Sequence, residues 1–376
     1  MIKKILFISH DASRTGAPIA LIIIIRELIR HLGVKADILL KETGPLVDEF
    51  KALGNVFIYP NQPRQSLTGR VVNKLLHLNL QKQKRIVNFL KKEDYDLIYA
   101  NTAASSDLLL EIVKGTESKA VLHVHELKIM IKHFCGQDAF FEASKQANKI
   151  FAVSGLVESM LINDFKIDSR KVIKVYEPVA HLAQTDNKKS FNAPFLVAGS
   201  GTLDWRKGTD LFLAVIKHLN TTYPLNNISF IWVGGDFTKQ EYDIIKNDLL
   251  MSNMTEKLII TGTVPNPRSY FQNANAFLLT SREDPFPLVC LENAYEGNPI
   301  LCFKQSTGIS EFIDTSNGLA VDFMDISALA AEVYKLSTEW EYYKAKSDNI
   351  RNLSANFSPS LVCKPIIEGI MEVMKN

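Results

Sequence analysis

The residues best suited to chemistry lie in the run Ser281-Arg282-Glu283-Asp284-Pro285-Phe286-Pro287-Leu288-Val289-Cys290-Leu291-Glu292. It holds acids, a bend made by prolines, an apolar stretch and a further acid eight positions beyond Asp284. A helix that starts near Leu288 carries Glu292 one turn inside it and leaves Asp284 on the loop in front. Free backbone N–H groups and the dipole make such a helix end attractive to anions. Carboxylates accept hydrogen bonds from sugar hydroxyls. Acids beside a free helix end therefore suit a ligand that carries both hydroxyls and phosphates.

Other loops add polar groups of the same kind. Arg206 and Lys207 stand just before a helix expected near Thr209 or Asp210. Cations are disfavoured at a helix N-terminus, so two of them there point to an anion between them and the helix end, such as a diphosphate. The plainer reading is solvated surface charge. Gly199 and Gly201 begin what could pass for a dinucleotide fingerprint, but Asp204 occupies the third glycine position. In the stretch 121–126, the strand period sets His123 and His125 on one face, with His125 nearer the C-terminal end. A lone histidine is more often structural than catalytic. Gly16, with Pro18 close behind, permits close backbone approach where the first strand turns into a helix, or marks a plain strand-to-helix turn. Gly262 and Val264 follow a later strand, as glycines do in any α/β fold.

The elements that must position these loops alternate regularly. Apolar, β-rich runs fall at 5–8, 36–40, 96–100, 120–124 and 150–153, and a second series at 195–198, 228–233, 258–260, 276–279 and 300–303. Helical patterns such as 17–31 and 85–92 lie between them. Continuous apolar strands separated by amphipathic helices imply parallel sheets covered on both faces. Two series imply two doubly wound domains, with 184–190 as the linker. Ligands in such folds bind beyond the carboxyl ends of the strands, and two facing domains place the site in a cleft.

Composition sets the bounds. The 376 residues are 46% hydrophobic and 22% charged, ordinary for a globular protein of two domains. A formal net charge of +2 gives no global case for nucleic acid. Cys135, Cys290, Cys302 and Cys363 show no paired spacing, which suits a reducing cytoplasm and neither zinc nor a disulfide framework. The chain passes directly into a first strand, and the apolar run 17–25 is too short to span a bilayer.

With Asp284-Pro285-Phe286-Pro287 followed by Glu292-Asn293-Ala294-Tyr295-Glu296-Gly297-Asn298-Pro299, the chain resembles the E-x7-E signature of the family-4 retaining glycosyltransferases of GT-B fold. Asp284 stands at the first acid, with Glu283 beside it, and Pro287 stands where Gly is usual. Lys207-Gly208 match the Lys-Gly that grips the diphosphate in that family. The family's Arg position falls on Thr202, with Arg206 as the nearby guanidinium. The resemblance implies an α/β GT-B protein: two Rossmann-like, doubly wound parallel-sheet domains facing an interdomain cleft. The N-terminal, acceptor-side domain would be 1–183, the nucleotide-sugar-binding domain 190–357, and a helix in 358–376 would cross back.

It further implies that Gly16 lies against the donor diphosphate or the acceptor, and that His125 lies beside the transferred sugar. Gly262 and Val264 would help form the base pocket. Asp284 or Glu283 would hold the donor sugar's hydroxyls, and Glu292 the ribose hydroxyls. Phe286, Leu288 and Val289 would contact the nucleotide-sugar at the helix end. No metal and no cofactor are called for.

The expectation is a retaining, metal-independent hexosyltransferase that moves a sugar from a nucleotide-sugar donor to a glycan or lipid-linked hydroxyl acceptor. Its setting would be bacterial surface polysaccharide or glycolipid synthesis in the cytoplasm, at the inner face of the cytoplasmic membrane. A nucleotide-sugar epimerase on the same fold and a non-catalytic nucleotide-sugar-binding protein are the alternatives. Between Arg64 and Lys92 the chain carries eight Lys and Arg, interleaved with leucines and other apolar residues, and no acid. That pattern reads as solvated helix faces over a core or as a peripheral docking surface for anionic membrane.

Overall fold

A computed structural model describes residues 4–60, 70–179, 194–223 and 227–375. The linker expected at 184–190 lies outside them, as do part of the basic stretch at 64–92 and the side chains of 70–78. The chain forms two units, Met1–Pro178 with Pro359–Asn376, and Val179–Ser358.

The first unit is built on seven strands: β1 (Lys4–Ser9), β2 (Lys35–Leu40), β3 (Gly54–Ile58), β4 (Leu97–Asn101), β5 (Lys119–Val124), β6 (Lys149–Ala152) and β7 (Val172–Lys174). Their order is β3-β2-β1-β4-β5-β6-β7, and every pairing is parallel. Parallel neighbours need helical crossovers, and those helices bury both faces of the sheet. The helix Gly16–Leu32 shows the result: Ile24, Ile25 and Leu28 are sealed from solvent while Arg26 is exposed. The strand order reverses direction between β1 and β4, which is where such sheets open a crevice at their carboxyl ends. Ser9 and Asn101 end those two strands. The last helix, Pro359–Lys375, also belongs to this unit. Its Ile366, Ile370 and Val373 join the core that holds Ile5, Phe7 and Ile38, and Lys149 pairs with its Glu372 at 3.0 Å.

The second unit carries β8 (Phe195–Ser200), β9 (Ile228–Val233), β10 (Leu258–Ile260), β11 (Ala276–Leu279), β12 (Ile300–Phe303) and β13 (Gly318–Val321). The order is β10-β9-β8-β11-β12-β13, again parallel throughout. Phe212, Phe230 and Trp232 meet edge to face in its core, with centroids 5.3 and 6.0 Å apart for the two pairs that Phe212 makes.

Three strands escape the periodicity of the sequence: β3, β7 and β13, each at a sheet edge. These three are only partly covered and carry polar residues or glycine, so they lack the continuous apolar run that marks a central parallel strand. The helix expected at 85–92 begins earlier and runs Arg70–Lys91. Among the described residues no helix is long and apolar enough to cross a membrane.

β13 is held by an unusual device. Lys346, 2% exposed on the helix Trp340–Ser354, donates to Thr315 O and Gly318 O, both at 2.7 Å, and pairs with Glu332 at 3.2 Å. Tyr342 Oη donates to the same carboxylate at 2.8 Å. Removing one member of a buried pair strands the other charge. Lys346→Met should therefore lower the unfolding free energy of this unit by about 3 kcal/mol or more, and adding Glu332→Leu should recover part of the loss. The three tryptophans, Trp205, Trp232 and Trp340, all lie in the second unit. Urea denaturation followed by tryptophan fluorescence therefore reads this unit selectively, and equal stability of the single variant and the wild type would contradict the assignment.

Candidate functional site

In the second unit, the loop after β8 is shaped around one lysine. Gly201 has φ +139°, and a Cβ on it would stand 2.9 Å from Lys207 Cγ, so the missing side chain makes room for the lysine stem. Gly208 has φ +66°, and a Cβ there would meet Thr280 O at 2.0 Å. Asp204 stiffens the turn: Oδ1 accepts from Lys207 N at 2.8 Å and Oδ2 from Thr202 Oγ1 at 2.5 Å. The helix Thr209–Thr222 follows directly. The result is that Lys207 Nζ lies 2.6 Å from Asp284 Oδ2, with both side chains largely withdrawn from solvent.

The loop after β11 supplies the other half. Asp284 N donates to Ser306 O at 2.8 Å, Asp284 O accepts from Gly308 N at 3.1 Å, and Ser281 Oγ donates to Asp284 Oδ2 at 3.1 Å. Arg206 Nη1 donates to Glu283 O at 3.2 Å, while Arg282 N donates to Arg206 O at 2.7 Å, stitching the two loops together. Of the adjacent acids it is thus Asp284 whose carboxylate meets Lys207; Glu283 is buried and offers its carbonyl to Arg206. Burial works to raise the Asp284 carboxyl, but the Lys207 ammonium and the Arg206 guanidinium outweigh it and hold it below the usual carboxylate range.

The helix Leu288–Tyr295 begins at Pro287, which has φ −73° and ψ 112° and no capping side-chain bond. Its first backbone bond is Cys290 N to Pro287 O, at 3.0 Å. The N–H groups of Leu288 and Val289 find no acceptor among the described residues, and both residues are partly exposed. Glu292 sits one turn in. Burial pushes its carboxyl up to about 7, opposed by Arg268, whose Nε is committed to Glu296 at 2.6 Å. Phe286 is buried against Phe312 and Phe357, with centroids 6.2 and 5.7 Å away, and anchors the loop.

Thr202 is exposed and spends its hydroxyl on Asp204. Gly262 bridges Gly234 across the ends of β9 and β10, with Val264 half-exposed beyond it. Gly16 opens its helix at an exposed position, and no side chain caps it.

His125 lies in the first unit, one residue past β5, within a buried polar network. Its Nδ1 is 2.5 Å from Glu177 Oε1 and its Nε2 is 2.8 Å from Asn101 Oδ1. Burial disfavours the charged ring, but the Glu177 carboxylate, by charge and by hydrogen bond, holds its proton affinity above the ordinary histidine value. Glu126 Oε2 accepts from His125 N at 3.0 Å and from Ala103 N at 2.9 Å. The His123 ring stands 4.2 Å from that of His125, so the two do share a face. His123 bonds Tyr99 Oη at 2.7 Å and is kept neutral by burial. His123, His125 and Glu177 bring side-chain N and O atoms within 4.8 Å of one another, but both ring nitrogens of His125 are already engaged, by Glu177 and Asn101. Two ligands of one tetrahedral zinc stand about 3.3 Å apart, so the 2.5 Å contact of His125 with Glu177 is a direct ion pair.

Asn101, Glu177, Asp204, Ser281 and Thr280 complete these arrangements without motif spacing to announce them. Their roles come from what the fold sets beside them: His125 for Asn101 and Glu177, Asp284 for Ser281, and the Lys207 loop for Asp204 and Thr280.

Residues 183–353 match the family described as glycosyl transferases group 1. An uncharacterized glycosyltransferase of Haemophilus influenzae is 24% identical over 211 residues, 56% of each chain. The lipopolysaccharide core biosynthesis glycosyltransferase LpsD of Rhizobium meliloti is 26% identical over 159 residues, 42% of this chain and 43% of LpsD. The chain thus spans about half the length of the curated relatives it matches. A crystal structure of Anabaena HepE in complex with UDP and glucose superposes with a TM-score of 0.80 at 18% identity, covering 99% of this chain and 100% of HepE. Two parallel α/β units, with a whole-length structural likeness of that order, give the chain the GT-B fold, and its residues 183–353 match the glycosyl transferases group 1 family.

Proposed function

We propose that the protein is a retaining glycosyltransferase that moves a hexosyl group from a nucleotide-sugar to a hydroxyl acceptor in surface polysaccharide or glycolipid synthesis. The observation that carries this is the Lys207–Asp284 pair, buried beside the uncapped N-terminus of the helix Leu288–Tyr295. A cation, two unpaired amide donors and a carboxylate are the groups that a sugar diphosphate needs. HepE, with UDP and glucose bound on the same fold, and LpsD, named for lipopolysaccharide core biosynthesis, support the same reading.

In this reading Lys207, Arg206 and the N–H groups of Leu288 and Val289 neutralise the diphosphate as the bond from the anomeric carbon to phosphate oxygen breaks. The leaving group takes the electron pair. The acceptor oxygen bonds the anomeric carbon from the same face and passes its proton to the departing phosphate, which retains the configuration. Stabilising charge where it develops is usually the dominant catalytic contribution. Here cations and amides supply the neutralisation that a divalent ion would otherwise give, so the reaction is metal-independent. Asp284 holds the donor sugar's hydroxyls, sharing its carboxylate with Lys207, and Glu292 holds the ribose hydroxyls. Gly262 and Val264 border the base.

The acceptor is a glycan or a lipid-linked sugar, met at the inner face of the cytoplasmic membrane. The described end of the helix Arg70–Lys91 supports that setting, since Leu80 and Phe89 are exposed beside Lys82, Lys84 and Arg85.

Lys207→Ala and Glu292→Ala should each lower kcat/KM by more than about tenfold, or ~1.4 kcal/mol of transition-state binding. Full turnover in both would contradict the site. Asp284→Ala should cost far more than Glu283→Ala in a transfer assay. Glu292 has a folded pKa of about 7 against an ordinary 4.5, so it turns from neutral acid to carboxylate as pH rises through 7. Carboxylate is the better acceptor for ribose hydroxyls, and donor KM should fall across that range. Glu292→Gln should flatten the dependence; an unchanged pH profile would remove Glu292 from the ribose site. Co-sedimentation with anionic vesicles at low salt should retain the protein, and absence of binding would argue against the membrane setting.

A further inference from the structure

His125 has both ring nitrogens engaged, and the chemistry of its partners fixes which way each bond runs. Glu177 meets Nδ1 with a carboxylate oxygen. Asn101 meets Nε2 with its side-chain oxygen, because its amide nitrogen already donates to Ala17 O at 3.1 Å, and a carbonyl can only accept. Two acceptors require two donors, so the ring carries two protons. The groups around it agree. His123, across a 4.2 Å ring contact, is neutral, and Glu126 sits on the following backbone. Tyr99 of β4 is turned to His123, and Cys363 of the helix Pro359–Lys375 faces the Glu177 charge. No second cation competes for Glu177 among the described residues.

The chain of contacts has a direction. Glu177 is the penultimate residue of the first stretch of this unit, just before Pro178. It grips His125 at the end of β5, His125 sets the Asn101 amide at the end of β4, and Asn101 ties down the carbonyl of Ala17, next to Gly16 in the first turn of its helix. We infer that Glu177 is a positioning residue: it fixes His125 as a cation that donates through both ring nitrogens, and through Asn101 it sets the Gly16 turn. His125 is then a fixed charge and not a proton acceptor. The effect on turnover rests on the transferase reading above; the protonation and the bonding do not.

Nitrogen-15 NMR of the full chain tests this. In the wild type both ring nitrogens of His125 should carry protons at pH 7. Glu177→Gln, which keeps the shape and removes the charge, should lower the proton affinity of His125 by about tenfold or more, and Glu177→Asp should restore part of it. In a transfer assay Glu177→Gln should lower activity, with the size of the loss tracking the His125 titration across pH. A wild-type ring with one bare nitrogen at pH 7, or a titration unmoved by Glu177→Gln, would overturn the inference. A doubly protonated ring in a protein that transfers no sugar from any donor would support the positioning and overturn the transferase reading instead.

Discussion

The second unit depends on a charge pair placed where burial should forbid it. Asp284 is 5% exposed and would prefer to be neutral, yet Lys207 and Arg206 keep it ionised. A buried pair of this kind is weak evidence for stability, since desolvation consumes most of the attraction. Its retention makes more sense as preorganisation. Gly201, Gly208 and Asp204 bend one loop so that Lys207 arrives, while Ser281, Ser306 and Gly308 hold the other so that Asp284 receives it. A ligand with a diphosphate and hydroxyls would find both charges already desolvated and oriented, with the helix end at Leu288 alongside. Glu292 extends the same logic. No cation is paired with it among the described residues, so burial, opposed by Arg268, pushes its carboxyl up to about 7.

The first unit solves a similar problem differently. There the buried acid, Glu177, is matched by a histidine and not a lysine, and the histidine can hand its second N–H to an amide. A planar ring with two donors links three segments that a flexible ammonium would hold less firmly. The ends of β4 and β5 and the start of the helix Gly16–Leu32 are thereby fixed at the switch point of the sheet, where open parallel sheets bind ligands.

The central strands could be read from sequence because parallel strands buried on both faces are continuously apolar. β1 and β9 are plain examples. The edge strands β3, β7 and β13 could not, since half of their surface is wet and their stability comes from partners such as Lys346. The side-by-side histidines followed from the strand period, and the helix start at Leu288 agrees with the proline bend in front of it. What periodicity cannot give is which acid meets which base. Lys207 and Asp284 are 77 residues apart in sequence, and His125 and Asn101 are 24 apart. Their pairing is set by strand order, so Asn101 and Glu177 carried no signal of their own. Nor can periodicity give the bond by which Arg206, next to Lys207, braces the Glu283 carbonyl.

Thermal denaturation of the wild type and of Lys207→Ala, each with UDP, GDP, ADP and dTDP in turn, is the most direct test of a diphosphate at the Lys207–Asp284 pair. A ligand bound only by the folded state raises the melting midpoint. One of the four should raise it in the wild type and leave Lys207→Ala unmoved. An equal rise in both proteins, or no rise with any nucleotide, would contradict it.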